Sequence, residues 1–93
     1  MATPLSDDDI EKGLPRSWER EGDEIVRVYE FDQYLAGVNF AQMIGEIAEA
    51  QNHHPELIIR YKEVEIRLTT HEAGGITKAD LEMAELIETE QTI

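Results

Sequence analysis

The order of the hydrophobic periodicities constrains this chain more than any other feature: short alternating stretches come in pairs, and helical stretches stand before, between and after the pairs. The first pair reads SWER, then the turn residues Glu21, Gly22 and Asp23, then EIVRVYEF, rich in β-branched and aromatic residues. Residues 57–61 and 64–70 repeat the pattern as a second hairpin. Alternation there puts Val64, Ile66 and Leu68 on a core face and Glu65, Arg67 and Thr69 on a wet one. Between the hairpins, Gly37, Phe40, Ala41, Ile44, Ile47 and Ala48 recur at three- and four-residue steps. They predict a helix over Gln33–Gln51, capped by Asp32 and ended by Asn52. Pro55 disfavours helical geometry at the residue before it, so His53, His54 and Pro55 fall in a loop.

The outer helices carry their own start signals. Ser6 with Asp9 resembles a capping box, with Leu5, Ile10 and Leu14 as apolar anchors, and this first helix runs to about Gly13 before Pro15 ends it. After Gly74 and Gly75, Thr77 and Asp80 repeat the capping-box pattern. Leu81, Ala84, Leu86 and Ile87 then supply the apolar side of a closing helix. The resulting order, αββαββα, lacks strand–helix–strand crossovers. It predicts an α+β fold: an antiparallel four-stranded sheet with helices packed on one face. Ninety-three residues make one domain, 1–93, and so short a chain buries only about 60–65% of its unfolded surface, which favours association with further copies. Trp18, Tyr61 and the set Phe31, Tyr34 and Phe40 read as core packing.

Charge narrows the partners. Against 8 Lys and Arg stand 21 Asp and Glu, a formal net charge of −13, whose field repels phosphate backbones and anionic lipid surfaces. Nucleic acid and membrane are therefore not expected partners. Acidity this dense fits a saline cytosol, where screening over a few ångströms relieves the self-repulsion. The absence of cysteine removes disulfides, thiolate nucleophiles and thiolate-bound metals. The N-terminal MATPLSDDDIEKG has neither a basic segment nor an apolar run of signal-peptide length, and no stretch approaches a membrane span, so a cytoplasmic protein is expected.

All three histidines lie between positions 53 and 71, at predicted strand ends, where loops carry chemistry. An unperturbed imidazole titrates at about 6.5, so it donates and accepts protons near neutrality. Three readings stay open on spacing alone. The histidines occupy an ordinary polar loop, or form a proton-transfer site, or join Glu49 or Glu56 in a zinc- or iron-type ligand set. Against the metal, adjacent histidines rarely chelate one ion, and no H-x-H or H-x-x-x-H spacing occurs.

The longer pattern is more specific: Glu49, then His53-His54-Pro55, then Tyr61, His71 and Asp80. With LPRSW before the first strand, YEF before the long helix and LTTHEAGGIT before the last, it is similar to the pterin-4a-carbinolamine dehydratases over nearly the whole chain. The family commonly has tryptophan two positions after the proline, where this chain has Leu57. The resemblance implies a catalytic cluster of His53, His54 and His71 around a pterin, with Glu49 and Asp80 as supporting acids. Pro55 and Thr70 join His53, His54 and His71 in substrate binding.

Dehydrating a 4a-carbinolamine requires a proton for the leaving hydroxyl and removal of the N5 proton. Two proton-transfer groups suffice, each contributing about 10²- to 10⁴-fold, and no metal or other cofactor is called for. His54 and His71 are expected as that pair, with His53 more concerned with binding. Glu49 lies one helical turn before His53, which favours a role at the site, whereas Asp80 also serves as a capping acid. The resemblance further implies a homo-oligomer, a dimer or tetramer built through helix packing and sheet extension. Two alternatives share the fold: a non-catalytic dimerisation module, and a dehydratase acting on a molybdenum-cofactor-type pterin.

Overall fold

Ser6 starts the first helix as its spacing predicts, its Oγ accepting from the Asp9 N–H at 3.1 Å. The computed structural model describes residues 3–91; residues 1, 2, 92 and 93 of the expected 1–93 unit lie outside the described residues. The elements are α1 (Asp7–Gly13), β1 (Glu19–Glu21), β2 (Glu24–Glu30), α2 (Tyr34–Gln51), β3 (Glu56–Ile59), β4 (Glu63–Leu68) and α3 (Lys78–Gln91). A short 3-10 turn, His71–Ala73, lies between β4 and α3. The order αββαββα is the one the periodicities predict. The strands form one antiparallel sheet in the order β1-β2-β4-β3, so each hairpin stays intact and β2 meets β4 at the centre.

Alternation decides which face is buried. Ile25 and Tyr29 of β2 and Val64, Ile66 and Leu68 of β4 point to the same side. There they meet Phe40, Ala41 and Ile44 of α2 and Met83, Ala84 and Ile87 of α3, giving a core between one sheet face and the helices. Val64, Ile66 and Leu68 are fully buried, so truncating Ile66 or Leu68 to alanine costs about 2–5 kcal/mol. Gly37 sets how near α2 comes: a Cβ there would lie 3.2 Å from a Val64 methyl carbon. Asn52 ends α2 in the left-handed conformation, with φ 52°, a backbone state that asparagine tolerates better than most residues.

The opposite face is not simply wet. Arg67 donates to Glu65 at 2.6 Å, Glu24 at 2.9 Å and Glu21 at 3.0 Å, and Arg60 donates to Glu65 at 2.8 Å. This lattice covers Glu65, which is buried although its alternation pointed to solvent. The hydrogen bond from Arg60, joined by Arg67, outweighs the burial and holds the Glu65 carboxyl below the usual carboxylate range.

Other expectations need correction. Asp32 does not cap α2: Gln33 occupies the cap position and makes no side-chain cap bond. Tyr61 is 72% exposed and Tyr34 49% exposed, because the turn after β3 and the first turn of α2 stand clear of the core. Trp18 and Phe40 are buried as expected, and Phe31 is partly buried against the core. The second hairpin is shorter than 57–61 and 64–70. Arg60 N–H closes its turn on the Glu63 carbonyl, and Thr69 leaves the ladder to donate from its hydroxyl to the Asp23 carbonyl.

Candidate active site

The cap that ends α2 also places the first histidine. His53 N–H bonds the Ala48 carbonyl at 3.1 Å, so the chain turns back over the helix end. The His53 Nε2 then lies 2.6 Å from Oδ1 of Asp80, a fully buried carboxylate. The other oxygen, Oδ2, accepts from Thr70 Oγ1 at 2.8 Å and from the Thr77 N–H at 2.9 Å. Thr77 Oγ1 lies 2.8 Å from Thr70 Oγ1 and accepts from the Ala79 N–H at 3.2 Å. Asp80 is thus both the capping acid of α3 and the partner of His53. A buried carboxylate with both oxygens bonded is a rigid anchor.

His54 takes the opposite environment. Its Nε2 meets Glu49 Oε2 at 2.5 Å, but the two side chains are 55% and 79% exposed. His71 is delivered from another segment, as the first residue of the 3-10 turn. Gly74, in the left-handed region at φ 77°, closes that turn by donating its N–H to the carbonyls of Thr70 and His71. Residues with a Cβ rarely adopt that conformation, so the glycine fixes where His71 leaves the sheet.

The two adjacent histidines line different clefts. His53 faces the helix layer, where a cleft of about 240 Å³ is lined by it with Gln51, Ala79, Glu82, Met83 and Leu86. His54 and His71 share a different cleft of about 310 Å³, completed by Glu24, Glu56, Arg67 and Thr69. Two of the three imidazoles thus line one cleft, and the third, bonded to Asp80, lines another. Thr70, expected in substrate binding, is buried with its hydroxyl committed to Asp80 and Thr77. Pro55 is partly buried between His54 and β3. Among the described residues, no three His, Asp or Glu side chains converge as a metal-binding group.

Glu24, Arg67 and Thr69 entered no sequence-based site. A signal was present for two of them, since alternation had already placed Arg67 and Thr69 on one face at the strand end. A second polar centre had no such signal. Glu88 Oε1 accepts from Trp18 Nε1 at 2.9 Å, Arg27 Nε at 3.0 Å and Tyr29 Oη at 2.6 Å. Partial burial works against its charge, but the three donors outweigh it and hold the carboxyl below its usual range. Burial first, then the bond to Glu88, pushes the Tyr29 phenol well above its ordinary value.

Comparison with known proteins gives one consistent result. Residues 3–90 match the family model described as pterin 4 alpha carbinolamine dehydratase. A protein of Natronomonas pharaonis, provisionally named a pterin-4-alpha-carbinolamine dehydratase, is 55% identical over 91% of this chain and 92% of its own length. One of Halobacterium salinarum with the same provisional name is 51% identical over 90% and 92%. The fold is similar to a crystal structure of a transcriptional coactivator/pterin dehydratase from Brucella melitensis, with a TM-score of 0.86 and 25% identity, covering 94% of this chain and 97% of that one. Among the described residues, no helix is long and apolar enough to cross a membrane.

Proposed function

The chain belongs to the pterin-4a-carbinolamine dehydratase family, and from that premise we propose that it removes water from a 4a-hydroxytetrahydropterin, with His54 and His71 as the proton-transfer pair. The observation that carries this reading is the shared cleft: two imidazoles from separate segments line one opening. In the reaction, the N5–H proton goes to a base and the N5 lone pair forms the C4a=N5 bond. The C4a–O bond breaks as an acid protonates the hydroxyl, releasing quinonoid dihydropterin and water. No electrons or atoms are needed from elsewhere, so acid–base groups alone support the step.

The partners of each histidine support a division of roles. Glu49 occupies Nε2 of His54, which leaves Nδ1 as the nitrogen for proton exchange with the pterin. Asp80 occupies Nε2 of His53 and fixes that ring, so His53 acts as a binding and orienting group. Thr70 is a positioning residue that holds Asp80. The reading takes the protein as cytoplasmic and as a homo-oligomer, since a core this small gains from further burial.

The test is turnover of freshly generated 4a-hydroxytetrahydropterin, followed by the appearance of the quinonoid product. Acceleration over the spontaneous reaction is the expected result. A folded protein that leaves the spontaneous rate unchanged would overturn the proposal. The interaction reading, favoured by the coactivator named in the Brucella structure's description, would then take its place.

A further inference from the structure

We propose that Glu56 recognises the pterin through its 2-amino and N3–H edge and so selects among ring systems that could enter the His54–His71 cleft. This inference rests on the dehydratase reading given above. Glu56 begins β3 two residues after His54 and pairs in register with Arg67 of β4, which places it at the cleft beside the two histidines. The cleft's three charged side chains are not equivalent. Arg67 is committed to Glu21, Glu24 and Glu65, and Glu24 accepts one of those bonds at 2.9 Å. Both are already drawn into the lattice, Arg67 through all three of its nitrogens. Glu56 is exposed and stands outside that lattice.

The chemistry of the ring matches that carboxylate. A pterin presents two parallel N–H donors, one on the exocyclic 2-amino group and one on N3. A carboxylate offers two parallel acceptors, the same fork-to-fork geometry by which it takes a guanidinium. At about 310 Å³ the cleft lies at the lower end of the range of small-molecule sites, and a bicyclic ring fits within it. With that edge held at Glu56, the opposite edge, which carries C4a and N5, faces the imidazoles. Arg67, with each of its three nitrogens already on a carboxylate, is assigned to the wall rather than to a ligand anion.

The experiment titrates the full chain with two stable probes, 7,8-dihydropterin and its 2-desamino analogue, following ligand fluorescence. Wild type should bind dihydropterin roughly 10- to 100-fold more tightly than the analogue, the worth of charge-assisted hydrogen bonds. Glu56→Gln keeps one acceptor and turns the other into a donor, so it should abolish that preference, while the analogue, which keeps N3–H, weakens by the smaller amount that one bond loses with the charge. Glu24→Gln removes the same charge from the same cleft and should keep the preference. A Glu56→Gln protein that melts like wild type and still prefers dihydropterin would overturn the assignment with the dehydratase reading intact. Wild type that binds neither probe would overturn both together.

Discussion

His53 and His54 are chain neighbours, each with Nε2 on a carboxylate, and they stand in opposite surroundings. Asp80 is fully buried, and its second oxygen is occupied by Thr70 and Thr77. Glu49 is 79% exposed and contributes a single contact. In the interior a satisfied charged hydrogen bond is rigid, and removing a partner leaves a group unpaired at a cost. At the surface the same contact competes with water and salt and is worth about 0–1 kcal/mol. The comparison teaches that a similar distance has two meanings here: an anchored ring on the buried side, and on the exposed side a ring open to solvent, where the proposed proton exchange would take place.

Activity should separate the two sides most strongly. His54→Ala and His71→Ala each remove an exposed ring from the shared cleft, and turnover should fall by about 10²- to 10⁴-fold with melting temperature almost unchanged. Turnover within a few-fold of wild type in either well-folded variant would break the assignment of chemistry to the exposed side.

Stability should show the reverse. Asp80→Ala leaves the Thr77 N–H, the Thr70 hydroxyl and the His53 ring without their carboxylate, and the cost is about 2–4 kcal/mol, combining a lost cap with unpaired buried groups. For a domain this small that lowers the melting temperature by roughly 10 °C or more. Glu49→Ala should stay within about 0.5 kcal/mol of wild type. Equal losses in the two variants, measured by thermal melting, would erase the distinction.

What the sequence makes legible follows the same line between local and distant. Periodicity and caps carry information within a few residues. The order of elements, the Ser6 and Thr77 caps, the Asn52 stop and the buried face of β4 were therefore readable. Asp80 was readable as a capping acid, which it is in the structure, where its other oxygen meets His53. The division of the histidines between two clefts was not, because it depends on which strand end lies beside which helix. Tyr61 and Tyr34 misled for the related reason that hydrophobic character does not say whether a turn stands proud of the core. Glu88 was invisible in the sequence: its partners Trp18, Arg27 and Tyr29 lie 59 to 70 positions away.

Glu88 provides an intermediate case between the two histidine partners, partly buried and triply bonded, and acid tests it. Its folded pKa is depressed, so its contribution is fully present above the unfolded value of about 4.3 and is lost as pH falls through the lower, folded one. Glu88→Gln should cost about 1–3 kcal/mol at pH 7. The gap to wild type should narrow as pH falls below about 4, because only the wild type has a charge there to lose. A gap constant down to pH 3 would mean that the three donors act by packing alone.

The smallest effect isolates the exposed pair itself. A double-mutant cycle over Glu49→Ala and His54→Ala, read by thermal melting near pH 6, should give a coupling of at most about 1 kcal/mol in dilute buffer. Salt should remove it, since the Debye length contracts from about 30 Å at 0.01 M to about 3 Å at 1 M, and two largely solvated side chains have no interior to shield them. Over the same titration the wild-type melting temperature should rise, because screening also relieves repulsion among the carboxylates behind a net charge of −13. The two trends have opposite signs, so one cannot be mistaken for the other. The destabilisation caused by Asp80→Ala should be the same at both salt concentrations, as expected for groups shielded from solvent ions. A coupling between Glu49 and His54 that survives 1 M sodium chloride would place that pair with the anchored ring rather than opposite it. A melting temperature flat across the range would show that the acidic surface needs no screening.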